Sequence, residues 1–303
     1  MLFPEDVLDK YIRAGEIAAR VRERVREIVR ENMPIIELCE KVESLIRSMG
    51  GKPAFPCNVS VNEVAAHYTS PPNDKRIIPE NSVVKVDIGV HIDGYIADTA
   101  TTVCFNPEYE DLVHAAEEAL EKAVQTVRPK LLVSRLGSVI EETIKSRGYK
   151  PISNLTGHQI GRYLIHAGKS LPNISHFSLA RIKAGEVYAI EPFVTVTEAI
   201  GKVTNSDEAY IFRLRKRKSV KNPHAGKLLR YIERNFHTLP FAERWLKGVL
   251  PKNLHIKAFS ELLSSKIILQ YPVFIEESGM VVAQAEHTIL VNEKECIVTT
   301  KSP

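Results

Sequence analysis

Apolar residues recur at helical spacing from the start of the chain. Val7, Tyr11, Ala14, Ile17, Ala18, Val21, Val25 and Ile28 fall on one face of residues 4–30, with Arg and Glu opposite, which predicts an amphipathic helix. A second helix is predicted from Pro34, suited to a first helical turn, to just before Gly50-Gly51, which can adopt the left-handed cap. Helical spacing returns over 108–127 and 135–147. Residues 83–103, VVKVDIGVHIDGYIADTATTV, read instead as a hairpin turning at Asp93-Gly94. NLTGHQIGRYLIHAG is punctuated by glycines and reads as strand and loop, whereas EVYAIEPFVTV, MVVAQAEHTILV and ECIVTT read as strands. Strands and helices interleave without a βαβα period, so the pattern favours an α+β fold. Residues 205–275 differ: a basic run, RLRKRKSVK, precedes three short helical patterns, AGKLLRYIERNF, LPFAERWLKGVL and AFSELLSSKIIL. They are expected to form a helical insertion within a single domain spanning 1–303.

Composition narrows the picture only a little. The chain has 303 residues, 44% hydrophobic and 26% charged, enough apolar matter for one large core and no sign of disorder. No apolar run approaches the ~18 residues of a membrane span, and MLFPEDVLDK carries acids where a secretion signal has basic residues. A cytoplasmic protein without a membrane partner is expected. Cys39, Cys57, Cys104 and Cys296 form no CxxC, which removes the usual zinc-ribbon and redox motifs. The net charge of +4 permits nucleic-acid or ribosome contact without requiring it, and no DNA partner is expected. The run 213–218 reads either as a solvated edge or as a transient contact with ribosomal RNA.

The chemistry begins in the hairpin. If Asp93-Gly94 form the turn, Asp98 pairs with Gly89, and Asp87 lies two residues from Gly89 on the same face. Gly89 and Ala100 should leave room between the two carboxylates. The opposite face carries Val84, Val86, Ile88, Val90 and Ile92, so the strand should be covered on both sides. Carboxylates in such a place are protonated, matched by cations or bound to metal. A metal site, a solvated polar face and an acid/base dyad all remain open on this evidence. His158 in TGHQIG, Glu191 in YAIEPF and Glu286 in VVAQAEHTIL each have a bland alternative as loop or strand-end polar residues. Together, four carboxylates and one imidazole resemble the donor supply of a two-metal site.

At this point the motifs become specific. KPAFP, AAHYT, DIGVHIDGYIADTA, GHQIGRY followed by IHAG, AIEPF, TLPFAERWL and AQAEHTI stand in the order and spacing of type 2 methionine aminopeptidases, the archaeal and eukaryotic branch. The resemblance runs from about residue 12 to the C-terminus. It implies the pita-bread (creatinase/aminopeptidase) fold, an active site between two pseudo-symmetric halves, and the helical type 2 insertion. It assigns Asp87 to one of two divalent ions (Co, Mn, Fe or Zn), His158 and Glu191 to the other, and Asp98 and Glu286 as bridges. A dinuclear metal-bound hydroxide would then release the initiator methionine from nascent polypeptide N-termini with a small second residue. Glu191 is implied as proton acceptor, His67 and His166 as contacts to the peptide bond, and Phe55, Ile165 and Tyr271 as walls of the methionine pocket. The 95 positions between Glu191 and Glu286 leave room for the insertion, and the short N-terminus suits an archaeal-like form. Two departures stand out: Ala285 replaces the aromatic of the usual QFEHT, and the pocket histidine that eukaryotic members carry near Ala209 and Tyr210 is missing. Prolidases and aminopeptidases P share the ligand set behind a long N-terminal domain, and binding proteins of the same fold have lost ligands; here all five ligand types are present.

Overall fold

The computed structural model describes residues 2–301. Its helices are α1 (Glu5–Ile28), α2 (Ile35–Ser48), α3 (Glu110–Thr126), α4 (Val133–Ser146), α5 (Pro223–Phe236) and α6 (Lys252–Ser264). The expected stripe of α1 is buried, including Tyr11, Ala14, Ile17, Ala18, Val21 and Val25, and Gly50 follows α2 at φ +85°. Among the described residues, no helix is long and apolar enough to cross a membrane.

A pair of helices followed by antiparallel strands occurs twice. In the first unit, α1 and α2 cover the sheet built on strands Val83–Ile92 and Tyr95–Cys104. Asp93 at φ +50° and Gly94 at φ +87° make the two-residue turn, and Gly89 pairs with Asp98 as predicted. Val84, Val86, Ile88 and Val90 pack into one core with Ile17, Val21, Leu38 and Val42 of the helices. In the second unit, α3 and α4 bury Leu112, Ala116, Leu136 and Ile140 against Ile190, Val194, Ala283 and Ile289.

The two apolar runs predicted as single strands are each interrupted. Val187–Ile190 pairs with His287–Val291, and Phe193–Thr195 pairs with Val282–Gln284, so Glu191-Pro192 and Ala285-Glu286 break both runs at matching places. The two units meet along the free edge of Tyr95–Cys104, through an isolated bridge between Ala100 and Glu286. Threonines close that seam: Thr99 Oγ1 donates to the Glu286 carbonyl at 2.8 Å and Thr102 Oγ1 to that of Gln284 at 2.6 Å. Lys85, fully buried, adds a second tie by donating to the carbonyls of Asn62 and Val282, both at 2.8 Å. Burial pushes its ammonium down to about 7.

Residues 203–276 are framed by two long antiparallel strands, Val203–Leu214 and Ile268–Glu276, with Val64–Ala66 and Phe241–Ala242 at the sheet edges. Helices α5 and α6 cover one face, burying Phe212, Leu214, Leu228, Ile232, Phe259 and Leu262. Two of the three helical patterns form helices. The third, LPFAERWLKGVL, instead gives a short strand and the 3-10 turn Glu243–Leu246. Pro240 disfavours helix there, while Phe241 pairs with Phe212 and stacks on Phe236 at 5.1 Å. Arg244 and Trp245 of that turn reach back to the buried Glu43 of α2; Arg244 Nη2 donates to Glu43 Oε1, and Trp245 Nε1 to Oε2 at 2.7 Å.

Candidate active site

Asp87, Asp98, His158, Glu191 and Glu286, drawn from five strands or strand breaks, converge on one small cavity of about 70 Å³. His67, Phe55, Ile165, His166 and Tyr271 line the same cavity, so all ten residues that the resemblance assigns to the site reach it. Asp87 and Asp98 share a face because the hairpin register sets Asp98 against Gly89 and Asp87 against Ala100. Thr288 Oγ1 fixes the Asp98 backbone to the other unit, accepting from its N–H at 2.7 Å and donating to its carbonyl at 2.8 Å. His158 Nε2 lies 3.6 Å from Asp98 Oδ2 and 3.5 Å from Glu191 Oε1. Ligand atoms of Asp98, His158 and Glu286 all lie within 4.8 Å of one another.

This concentration of acid has no internal counter-charge among the described residues: no Lys or Arg forms an ion pair with any of the four carboxylates. Asp87 Oδ1 and Asp98 Oδ1 are buried without a hydrogen-bond partner among the described residues. Burial pushes Asp87 up to about 7. Burial, followed by the charges of Asp87 and Glu191, raises Asp98 well above the ordinary carboxyl range. Burial and neighbouring acids raise Glu191 and Glu286 in the same direction. Burial and the neighbouring His166 hold His158 down to about 3, leaving the neutral imidazole that ligates metal. Unsatisfied oxygens, mutually repelling carboxylates and one neutral imidazole fit divalent cations.

His67 sits above these donors with a left-handed backbone at φ +67°, a conformation that costs about 1 kcal/mol or more outside glycine and clusters at functional sites. Its Nδ1 is 3.2 Å from the Pro272 carbonyl. A carbonyl can only accept, so Nδ1 carries the ring proton and Nε2 is left as an acceptor. Tyr271 and Phe274 hold the ring at 5.6 and 4.5 Å, and burial lowers its pKa to about 4. His166 packs against His158 at 4.4 Å but is exposed on its other side, which marks the mouth of the cavity.

Four lining residues escaped the sequence reading: Asn58, Ala66, Ile211 and Pro240. Asn58 pairs with Asp87 across adjacent strands, a relation its position in NVSV does not advertise. The buried Gln284 was also missed; its Nε2 faces Glu191 Oε2 at 3.5 Å and Glu286 Oε2 at 3.4 Å. The room expected beside Gly89 is occupied by the Phe55 ring, 2.8 Å at Cζ from where a Cβ would stand.

Comparison with known proteins identifies the family. The model of metallopeptidase family M24 matches residues 9–293. A methionine aminopeptidase of Methanothermobacter thermautotrophicus is 45% identical over 97% of this chain and 99% of its own length. One from Methanocaldococcus jannaschii is 43% identical, covering 97% and 98%. The crystal structure of a Thermotoga maritima methionine aminopeptidase superposes with a TM-score of 0.71 at 21% identity over 99% of both chains. A thermophilic Arx1 gives 0.81 at 19%, over 99% of this chain and 92% of that one. A Pyrococcus furiosus prolidase gives 0.61 at 18%, over 99% of this chain and 65% of that one. These likenesses support the expected pita-bread fold, and the chain belongs to metallopeptidase family M24, on its methionine aminopeptidase branch, and is a hydrolase of that family.

Proposed function

We propose that this chain releases the N-terminal methionine from peptides and nascent polypeptides whose second residue is small. The observation that carries the reading is the convergence of ten residues, scattered from Phe55 to Glu286, on one cavity. Asp87, Asp98, His158, Glu191 and Glu286 would hold two divalent cations. Such ions, when bound, lower the pKa of water and polarise the scissile carbonyl.

The chain's own groups then orient and exchange protons. Glu191, raised in pKa by burial and by Asp87, is suited to take a proton from the attacking water and return it to the leaving amine. His67 Nε2, left as acceptor by the Nδ1 contact to Pro272, receives the N–H of the scissile peptide. His166, whose pKa is lowered by its partial burial against His158 and by Arg213, offers a ring N–H to the carbonyl oxygen as charge develops there. Phe55, Ile165 and Tyr271 supply aromatic and branched walls for a thioether. The cavity's small size leaves no place for a bulky second side chain.

The two-helix segment within 205–275 supports assignment to the type 2, archaeal-like form. Arg215, Lys216, Arg217 and Lys218 are exposed between strand Val203–Leu214 and α5, a placement that suits a ribosomal contact; reversing these charges should reduce salt-sensitive cosedimentation with ribosomes.

The test of the main reading is release of free methionine by metal-stripped protein resupplied with Mn, Co, Fe or Zn. Met-Ala-Ser should be cleaved in a metal-dependent manner and Met-Leu-Ser only weakly. Cleavage of Xaa-Pro peptides with none of Met-Ala-Ser would replace it with a proline-directed activity.

A further inference from the structure

Arg213 was read in the sequence as part of a basic run, yet the fold separates it from its neighbours. Ile211 and Tyr271 pair across strands Val203–Leu214 and Ile268–Glu276, and both line the catalytic cavity. Arg213 follows two residues later, opposite Leu269 in the same unbroken register. Strand periodicity puts it on the Ile211 face, roughly 7 Å further along. Phe212, Leu214 and Ile268 turn the other way, into the core under α5 and α6. Arg213 is half-buried, whereas residues 215–218 are exposed.

Its guanidinium bears on two cavity residues. After burial, it is the further influence that holds His166 below the ordinary imidazole value. It also opposes the burial that raises the Tyr271 phenol. Among the described residues the Arg213 guanidinium makes no hydrogen bond or ion pair, so a half-buried cation stands beside the mouth with its donors uncommitted.

The polarity of the cavity says what those donors meet. Asp98 and Glu286 are buried at its floor, and His166 is exposed at its outer end. A cationic α-amine enters toward the acids, so the chain beyond the scissile bond leaves past Arg213. We propose that Arg213 is a specificity-determining residue that binds a substrate carboxylate on the C-terminal side of the scissile bond, either an acidic side chain or the free terminus of a short peptide. The proposal rests on the aminopeptidase reading above. Its chemistry is that of a guanidinium fork with a carboxylate.

The test compares kcat/KM for Met-Ala-Ser as free acid and as amide, and for Met-Ala-Glu-amide against Met-Ala-Gln-amide. The wild-type enzyme should favour the charged member of at least one pair by about 3- to 10-fold at low salt, with the ratio shrinking as salt is raised. Arg213→Lys should keep part of that ratio, Arg213→Met should bring it to about one, and Arg213→Glu should invert it. A response confined to the first pair identifies the chain terminus as the ligand, and one confined to the second identifies a side chain. A wild-type ratio of one in both pairs, or variants that lose activity with the ratio unchanged, would overturn the proposal. Failure of the wild-type enzyme on all four peptides would overturn the aminopeptidase reading and this inference with it.

Discussion

Replacing Gly89 with Ala should damage stability and substrate binding together, because the glycine is the seat of a pocket wall. A Cβ at residue 89 would stand 2.8 Å from Phe55 Cζ and closer still to Cε1 and Cδ1. The ring must therefore retreat by about 1 Å to regain an ordinary carbon–carbon separation of about 3.5 Å. It has little freedom to do so, since Phe55 is buried with Ile96, Ile160 and Ile165 on one side and faces the cavity on the other. Overpacking of this kind costs about 1–3 kcal/mol, and the lower chain entropy of Ala in the unfolded state offsets about 0.4–1 of it. A net loss of about 1–2 kcal/mol corresponds to a fall in Tm of about 2–5 °C in a chain of this size. A ring pushed into the cavity should also raise KM for Met-Ala-Ser about 5-fold or more, equivalent to about 1 kcal/mol. Thermal denaturation and steady-state kinetics measure the two effects. Combining Gly89→Ala with Phe55→Leu should recover part of the stability, because the two changes share one space. An unchanged Tm and KM in the single variant, or strict additivity in the double one, would refute the reasoning.

Three further outcomes follow from the same geometry. Arg244→Met leaves the buried Glu43 carboxylate without its cation, so urea unfolding should show a loss of about 3–5 kcal/mol; a loss below about 1 would show that the contact between the 3-10 turn and α2 carries little weight. Ala285→Phe points a ring toward the cavity of about 340 Å³ between α1 and α3 that Ala285 and Ala100 line; stability should stay within about 1 kcal/mol of the parent or rise, and a larger fall would mean the space is unsuited to an aromatic. Asp87 is held near 7 in the metal-free protein but titrates near 4 when unfolded, so the folded state binds more protons between those values and this group's contribution to stability declines as pH rises through that window. Asp87→Asn should accordingly stabilise metal-free protein by about 1–3 kcal/mol at pH 7.5 and by less at pH 5, and denaturation curves showing no such growth with pH would contradict the assignment.

Local signals made part of this architecture legible. Asp93-Gly94 announced its own turn, and the two-residue period then set Asp98 beside Asp87 without further information. The stripe of α1 was equally plain because an amphipathic helix repeats its apolar positions many times. The long strands Val203–Leu214 and Ile268–Glu276 were harder to see, since their burial alternates poorly and each is stabilised by the other across some 60 residues of chain. Glu191 and Glu286 were visible only as isolated acids in apolar runs. Their opposed strand breaks give them meaning, and this pairing is long-range. Asn58 and Ile211 carry no local mark, and Ala66 and Pro240 stand in the motifs AAHYT and TLPFAERWL without being singled out within them; tertiary packing brings all four to the cavity. The motif TLPFAERWL, prominent in the sequence, serves two ends: Arg244 and Trp245 anchor it to Glu43, and Pro240 lines the cavity.

The most direct test of the central claim is a calorimetric titration of metal-stripped wild-type protein and Asp98→Asn with Mn²⁺, followed by assay of methionine release from Met-Ala-Ser in the same samples. Two ions per wild-type chain, activity that rises with occupancy, and loss of both a bound ion and activity in the folded variant are the predicted result. A folded wild-type protein that takes up no ion, or an Asp98→Asn protein that binds and cleaves like the wild type, would contradict the account.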